Sequence, residues 1–310
     1  MAPQVSVVMV CRNGLPYLFE ALGSVLAQTF TDWELVFWDN GSKDASREAA
    51  ARLSPGVRVL GSPAPIPLAE ARNRLTDAAR GKYVAFLDAD DLWYPQKLER
   101  QLSDMIADGS TWSYTDCHIV SARGVPMGRF ARRVPQRSGQ VNRALLRENF
   151  IPLSTVVIER EALLEAGGFD VTFAVANDYD LWLRLSTSTA VLACPGVLSA
   201  YRVHGSNLTS RYRVTYRENR LIYRRWAVAA DQPAQVREAA REAQALLSLR
   251  WGLREIFEGR SLTRGFRRLR VGVRRAKRLR TLIHFAVRAV ASSRVRLMMA
   301  RERNRAQRRV

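Results

Sequence analysis

Residues 5–10, "VSVVMV", form an apolar, β-branched run of the kind a central parallel strand needs when both its faces are covered. The next stretch, "LPYLFEALGSVLAQ" (15–28), changes period. Leu18, Leu22, Val25 and Leu26 recur at helical spacing. "WELVFWD" (33–39) reads as a second strand and "KDASREAAARL" (43–53) as a helix with an acidic first turn. "VRVL" (57–60) is a short third strand, and "LAEARNRLTDAA" (68–79) is a helix that Gly81 would close as a C-cap. "YVAFLD" (83–88) is the fourth strand, "PQKLERQLSDMIAD" (95–108) a helix with proline at its start, and "TWSYTDC" (111–117) the fifth strand. Residues 118–150 break the pattern with scattered Gly, Pro and Arg, which predicts hairpins and loops. A strand "STVVIE" (154–159), a helix near 160–166 and a helix "DYDLWLRLS" (178–186) follow, and from 211 onward the chain reads as helical and Arg-rich, without an internal repeat.

Strict alternation of strands and helices predicts an α/β fold built on one open, mostly parallel sheet flanked by helices. Sheets of this kind bind ligands beyond the carboxyl ends of their strands. Two of those ends carry aspartate, Asp39 after the second strand and Asp88 after the fourth. With 310 residues, 47% of them hydrophobic, the chain can fill the core of one large domain, 1–210, and carry an appendage, 211–310. Charge divides it at the same place. Residues 1–210 hold 21 Lys+Arg against 22 Asp+Glu, whereas 211–310 hold 28 against 7. The appendage is therefore a basic helical extension that calls for an anionic partner. Cys11, Cys117 and Cys194 are far apart and odd in number, which argues against a disulfide framework or a structural zinc site and for a reducing compartment. The amino terminus has no signal-peptide pattern, and no run of about 18 uncharged apolar residues predicts a membrane span.

The fourth strand ends in "LDADD", three carboxylates in four residues. They repel one another unless something neutralises them. An Asp-x-Asp pair places two hard oxygen ligands on one divalent cation, Mg2+ or Mn2+, and such a cation also stabilises a leaving diphosphate. The plainer alternative is that Asp88 and Asp91 cap the following helix or face solvent.

Four stretches in order, "VSVVMVCRNG", "WELVFWDNGSKD", "LAEARNRLTDAARGKYVAFLDADD" and "NDYDLWLRL", followed by "YRVHGSN", give residues 4 to about 210 a pattern that resembles the family 2 glycosyltransferases of the GT-A fold. The resemblance implies transfer of a sugar from a nucleotide diphosphate donor, expected to be UDP-linked, to an acceptor hydroxyl with inversion at the anomeric carbon. It implies that Val10, Arg12 and Asn13 lie beside the nucleoside, that Asp39 accepts a hydrogen bond from the base, and that Arg72 reaches the base or diphosphate. Asp88 would contact ribose or metal, Asp90 would ligate Mn2+ or Mg2+, and Asp91 would assist from behind. His204 of "YRVHGSN" would complete metal or diphosphate coordination. Asp178 matches the general base, the carboxylate that takes the acceptor's proton on the face opposite the leaving group. Two positions depart from the pattern. Asn177 stands where the family usually has Glu, which leaves the acceptor class open, and Arg12 stands where it often has Tyr.

The basic extension has two candidate partners. Arg clusters flanking Leu282, Ile283, Phe285 and Val287 describe a helix lying on an anionic membrane surface. Nucleic acid would need only the charge, but no nucleic-acid motif accompanies it. The expectation is a cytoplasmic enzyme, peripheral on the inner face of the membrane, acting on a lipid-linked acceptor in cell-surface polysaccharide or glycolipid synthesis. Its rivals are a non-catalytic sugar-nucleotide module of the same fold and a protein acting on nucleic acid through its tail.

Overall fold

A computed structural model describes residues 2–53, 57–132, 134–257 and 262–275. Strands β1 (Val5–Cys11), β2 (Trp33–Asn40), β3 (Val57–Ser62) and β4 (Tyr83–Phe86) alternate with helices α1 (Leu15–Leu26), α2 (Ser46–Leu53) and α3 (Leu68–Ala78). β1 pairs in parallel with β2 on one side and β4 on the other, and β3 adds in parallel to the far side of β2. Val5, Val7, Val8 and Met9 are at most 3% exposed, so the unbroken apolar run does mark a strand covered on both faces. Leu18, Leu22 and Val25 of α1 are fully buried against it. Burial of each such side chain stabilises the fold by about 1.5–3 kcal/mol.

The chain continues through β5 (Leu92–Trp93), α4 (Lys97–Asp108), β6 (Trp112–Ser121), β7 (Pro126–Arg129), α5 (Asn142–Arg147), β8 (Val157–Glu159), α6 (Arg160–Glu165), α7 (Asn177–Ser188) and β9 (Leu192–Val203). Among the described residues nine strands form one sheet in the order β3-β2-β1-β4-β8-β6-β9-β5, with β7 on β6. The long ladders, β1·β2, β2·β3 and β6·β9, are parallel, and the short ones around β8, β5 and β7 are antiparallel. On the other side of the sheet, Trp112 and Trp182 stack at 5.7 Å, and Phe86 meets Phe169 edge-on at 5.4 Å.

Several local expectations are revised. Gly81 does not cap α3, which ends at Ala79 in extended backbone. It is small because the chain passes too close to β1: a Cβ there would lie 2.5 Å from the Ser6 nitrogen. Its amide donates to Ser6 Oγ at 2.8 Å, and Ser6 Oγ in turn donates to Glu34. The segment 154–159 is half strand, because Leu153–Thr155 form a 3₁₀ turn before β8. The stretch 118–150 contains the expected β6–β7 hairpin and also α5.

The chain falls into two compact units, with the first ending at Glu218 and the second beginning at Asn219. Helix α8 (Tyr212–Val228) runs through that point. In the second unit, α9 (Ala234–Phe257) meets α10 (Leu262–Arg275) closely enough that a Cβ on Gly272 would lie 2.5 Å from Leu249. Arg268 pairs with Glu255 at 3.1 Å and lies over the Trp251 ring. Leu282, Ile283, Phe285 and Val287, the apolar patch expected to meet a membrane, lie outside the described residues.

Candidate active site

The carboxyl ends of β1, β2 and β4 converge on one edge of the sheet. Cys11 is in register with Asp39, and Asp39 with Gly61 on β3. Asp39 is 5% exposed and accepts the Ser42 amide at 3.3 Å. Gly61 is required beside it, since a Cβ would come within 2.5 Å of the Asp39 carbonyl. Val10 is half-buried, and Arg12 and Asn13 are exposed on the loop that follows. Asn13 holds a left-handed backbone (φ 54°), which asparagine tolerates better than most residues. Its Oδ1 accepts the Lys43 amide at 2.8 Å and its own amide donates to Ser42 Oγ at 3.0 Å. The side chain of Asn13 thus fastens the β1 loop to the β2 loop.

Beyond β4, Asp88, Asp90 and Asp91 bring a carboxylate oxygen each to within 4.8 Å of one another. They are not equivalent. Asp91 is 2% exposed, and both its oxygens are engaged, Oδ2 by Ser154 Oγ at 2.6 Å and Oδ1 by the Arg202 amide at 2.9 Å. It caps no helix, because α4 begins six residues later, and instead pins the β4 end to β9. Burial, then the charges of Asp90 and Asp88, push its carboxyl well above the usual range. Asp88 accepts Arg72 Nη2 at 2.9 Å. Burial raises its carboxyl and the Arg72 guanidinium opposes that rise, with 36% of the side chain still open to solvent.

Arg72 is the hub of the site. It is 6% exposed, stacks over Phe169 at 5.5 Å, and divides its guanidinium between Asp88 and Asn177 Oδ1 at 2.6 Å. Asn177 opens α7, and Asp178 follows it in the first turn. Asp178 is half-buried, and its Oδ1 accepts the Tyr179 amide at 2.7 Å. Burial raises its carboxyl to about 6 even though Arg72 pulls it down. The amide at 177, noted above as a departure, gives Arg72 a neutral acceptor next to the candidate base.

The stretch after β9 closes the other side. His204 Nε2 and Asn207 Nδ2 meet Asp90 Oδ2 at 2.8 and 3.3 Å, and the His204 ring lies 4.8 Å from that of Tyr17. Arg202, 1% exposed, donates to the Asp90 carbonyl at 2.9 Å, pairs with Glu20 at 2.9 Å and lies over Tyr17. Ser154, Arg202, Asn207 and Tyr17 are site residues that sequence reasoning passed over. "YRVHGSN" contains two of them, but their partners lie more than a hundred positions away.

With both oxygens of Asp91 engaged, Asp88 and Asp90 are the carboxylates able to hold a cation, and His204 would join them by exchanging its Nε2 hydrogen bond to Asp90 for the cation. Carboxylate oxygens at a partly open strand end, with one imidazole, suit Mn2+ or Mg2+. A separate open depression of about 810 Å³ lies at the opposite edge of the sheet, around Gln4, Asp32, Lys82 and Arg160. Its lysine is paired with Glu159 and its Arg160 is bonded to the carbonyls of Thr76 and Asp77, so it gathers no comparable set of groups.

Known proteins similar to this chain are glycosyltransferases. Residues 6–163 match the family model for glycosyl transferase family 2, and residues 129–236 a glycosyltransferase-like family 2 model. An Escherichia coli relative, the UDP-Glc:alpha-D-GlcNAc-diphosphoundecaprenol beta-1,3-glucosyltransferase WfgD, is 30% identical over 73% of this chain and 85% of its own length. The putative teichuronic acid biosynthesis glycosyltransferase TuaG of Bacillus subtilis is 28% identical over 72% of this chain and 88% of its own. Among solved structures, S. aureus TarS 1–349 in complex with UDP-GlcNAc superposes with a TM-score of 0.63 at 17% identity, covering 88% of this chain and 81% of that one. A mannosyltransferase from Pyrobaculum calidifontis in complex with GDP-Man and Mn2+ gives 0.62 at 18% identity, covering 94% and 81%. These similarities, joined to an open α/β sheet of GT-A type, establish the chain as a glycosyltransferase that belongs to glycosyl transferase family 2.

Proposed function

We propose that the enzyme transfers a sugar from a UDP-linked donor to an acceptor hydroxyl with inversion, and that Asp178 is the general base. The observation that carries this reading is the placement of the half-buried Asp178 carboxylate in the first turn of α7, one residue from the Asn177 that Arg72 ties to Asp88, where burial raises it to about 6. A carboxylate with that pKa is ionised at neutral pH yet more basic than an ordinary aspartate, which suits removal of a proton from an attacking hydroxyl. Asp39 would accept from the base, Val10, Arg12 and Asn13 would border the nucleoside, and Arg72 and Asp88 would set the diphosphate and ribose side. Asp90 and His204 would hold Mn2+ or Mg2+. When bound, the cation would offset negative charge on the departing nucleotide diphosphate. Arg202 and Asn207 keep the Asp90 backbone and carboxylate in place, and a cation shared by Asp90 and His204 would replace the hydrogen bond between those two side chains.

The acceptor we propose is a lipid-linked, diphosphate-bearing saccharide at the inner membrane surface, in cell-surface polysaccharide synthesis. The E. coli relative named for a diphosphoundecaprenol acceptor supports it. So does the Arg-rich helix α10, whose sequence "LTRGFRRLRVGVRR" is basic enough for an anionic surface. No helix among the described residues is long and apolar enough to cross a membrane. The test is a donor panel with Mn2+, followed by assignment of the product's anomeric configuration by NMR. An inverted linkage from a UDP-sugar is expected. A retained configuration would overturn the role of Asp178. Co-sedimentation that ignores the anionic lipid content of vesicles would remove the membrane surface.

A further inference from the structure

Helix α7 carries the proposed base but has no cap of its own. Its N-cap position is Ala176, whose methyl group accepts nothing. The first turn of a helix leaves amides that need acceptors. In this protein the amides around the cap position find one from another element. Ala174 donates to Glu218 Oε1 at 2.8 Å, and Val175 and Ala176 donate to Glu218 Oε2 at 2.9 and 2.8 Å. Glu218 lies on α8, 42 to 44 residues further along the chain. One carboxylate therefore gathers three successive backbone amides that end one residue before Asn177 and two before Asp178.

The opposite side of that turn is anchored independently. Asn177 Oδ1 accepts from Arg72, and Asn177 Nδ2 donates to the Phe173 carbonyl at 3.3 Å. The backbone that carries Asp178 is thus clamped between the Arg72 hub and Glu218. The Glu218 contact has a second consequence. The segment that leaves β9 first supplies His204 and Asn207 to Asp90 Oδ2, and eleven residues after Asn207 it supplies Glu218 to the base's helix. A single run of chain therefore touches both the cation side and the acceptor side of the site.

We infer that Glu218 is a positioning residue for the general base: its carboxylate fixes the Ala174–Ala176 amides and so sets where Asp178 meets the acceptor hydroxyl. The role rests on the transferase reading above. The Glu218 carboxylate bonds the Ala174–Ala176 amides and none of Asp39, Asp88 and Asp90, the three carboxylates proposed to hold donor or cation, so its loss should fall on the chemical step and spare the donor. A misplacement of about 1 Å at such a group can cost roughly 10²-fold in rate.

The experiment compares wild type with Glu218→Ala, Glu218→Asp and Glu218→Gln in the full chain. Expected for Glu218→Ala is a fall in kcat of roughly 10- to 100-fold, with donor KM and calorimetric affinity for UDP with Mn2+ unchanged within about threefold. Glu218→Gln, which keeps one carbonyl acceptor at the same reach, should recover part of kcat. Glu218→Asp, one methylene short, should not. Hydrogen exchange supplies a readout independent of turnover: residues 174–178 should lose protection in Glu218→Ala while residues 68–78 keep theirs. Unchanged exchange at 174–178 overturns the clamp whatever the turnover. Unchanged kcat, or a parallel loss of UDP affinity and of protection throughout the sheet, overturns the positioning role. A wild-type chain that transfers no sugar would count against the transferase reading instead, with exchange at 174–178 still deciding the clamp.

Discussion

Lys97 sits at the start of α4 with no accessible surface. Its ammonium donates to Gln101 Oε1 at 2.8 Å and lies 4.3 Å from the centre of the Trp93 ring, and it pairs with no carboxylate among the described residues. Burial without a counter-charge lowers its pKa from 10.5 to about 7. The unfolded chain keeps the ordinary value, so between pH 7 and 10.5 the unfolded state holds a proton that the folded state lacks. Stability must then rise with pH through that window, by up to about 1.4 kcal/mol per pH unit and by roughly 5 kcal/mol across it. Below pH 7 both states are protonated and the slope from this residue vanishes. The buried cysteines act in the opposite sense. Burial raises Cys11 to about 11 and Cys194 to about 12, so their contribution falls as pH climbs past about 9. Lys97→Met keeps the apolar stem and removes the titration. Urea denaturation of both proteins from pH 7 to 8.5 isolates Lys97, because the thiols, with an ordinary value of 9.0 and raised values in the fold, stay largely protonated in both states over that range. Wild type should gain about 2 kcal/mol on the variant over that range, and the variant should be at least as stable at pH 7. Parallel curves would refute the reasoning and mean that the ammonium stays charged and solvated inside the fold.

Further outcomes follow from other residues. The acid limb of kcat/KM should fall as pH drops through about 6, where Asp178 takes up a proton. Arg72→Met should move that limb to higher pH, and a limb that stays in place would separate Arg72 from the base. Gly81→Ala drives a methyl group to 2.5 Å from the Ser6 nitrogen and 2.7 Å from the Val5 carbonyl carbon, so backbone must yield at both of the closest contacts. A loss of about 1–3 kcal/mol is expected in thermal or chemical denaturation. Ser154→Ala removes both the donor to Asp91 and the acceptor of the Asp88 amide. It should cost about 1–3 kcal/mol and lower turnover, whereas a variant of wild-type stability would mean that Asp91 holds its place without it.

The first half of the sheet was legible because β1 to β4 are separated by short helices and β1, β2 and β4 are near-continuous buried runs of strand length. Asp39, Asp88 and Asp90 could be found because strand ends are where such sheets place ligands. The legible part stops where meaning depends on distant partners. Asp91 reads like its neighbours in "DADD", but Ser154, 63 positions away, and Arg202, 111 positions away, make it a buried fastener. Arg202 sits in a quoted motif, yet its guanidinium acts on the Asp90 carbonyl, on Glu20 and on Tyr17, none of them near it in sequence. Gly81 looked like a helix cap because glycine after a helix usually is one, and only the approach of β1 reveals the steric reason. Asn177 looked like a missing carboxylate until Arg72 was placed against it.

The central claim is that this edge of the sheet performs metal-assisted sugar transfer with Asp178 as base. It is tested most directly by following UDP release from UDP-sugars in the presence of Mn2+ and a lipid-diphosphate saccharide, for wild type, Asp178→Asn and Asp90→Ala. The account predicts turnover by wild type, a loss of at least about 10²-fold in both variants, and retained UDP affinity in Asp178→Asn. Full turnover by both variants would contradict it.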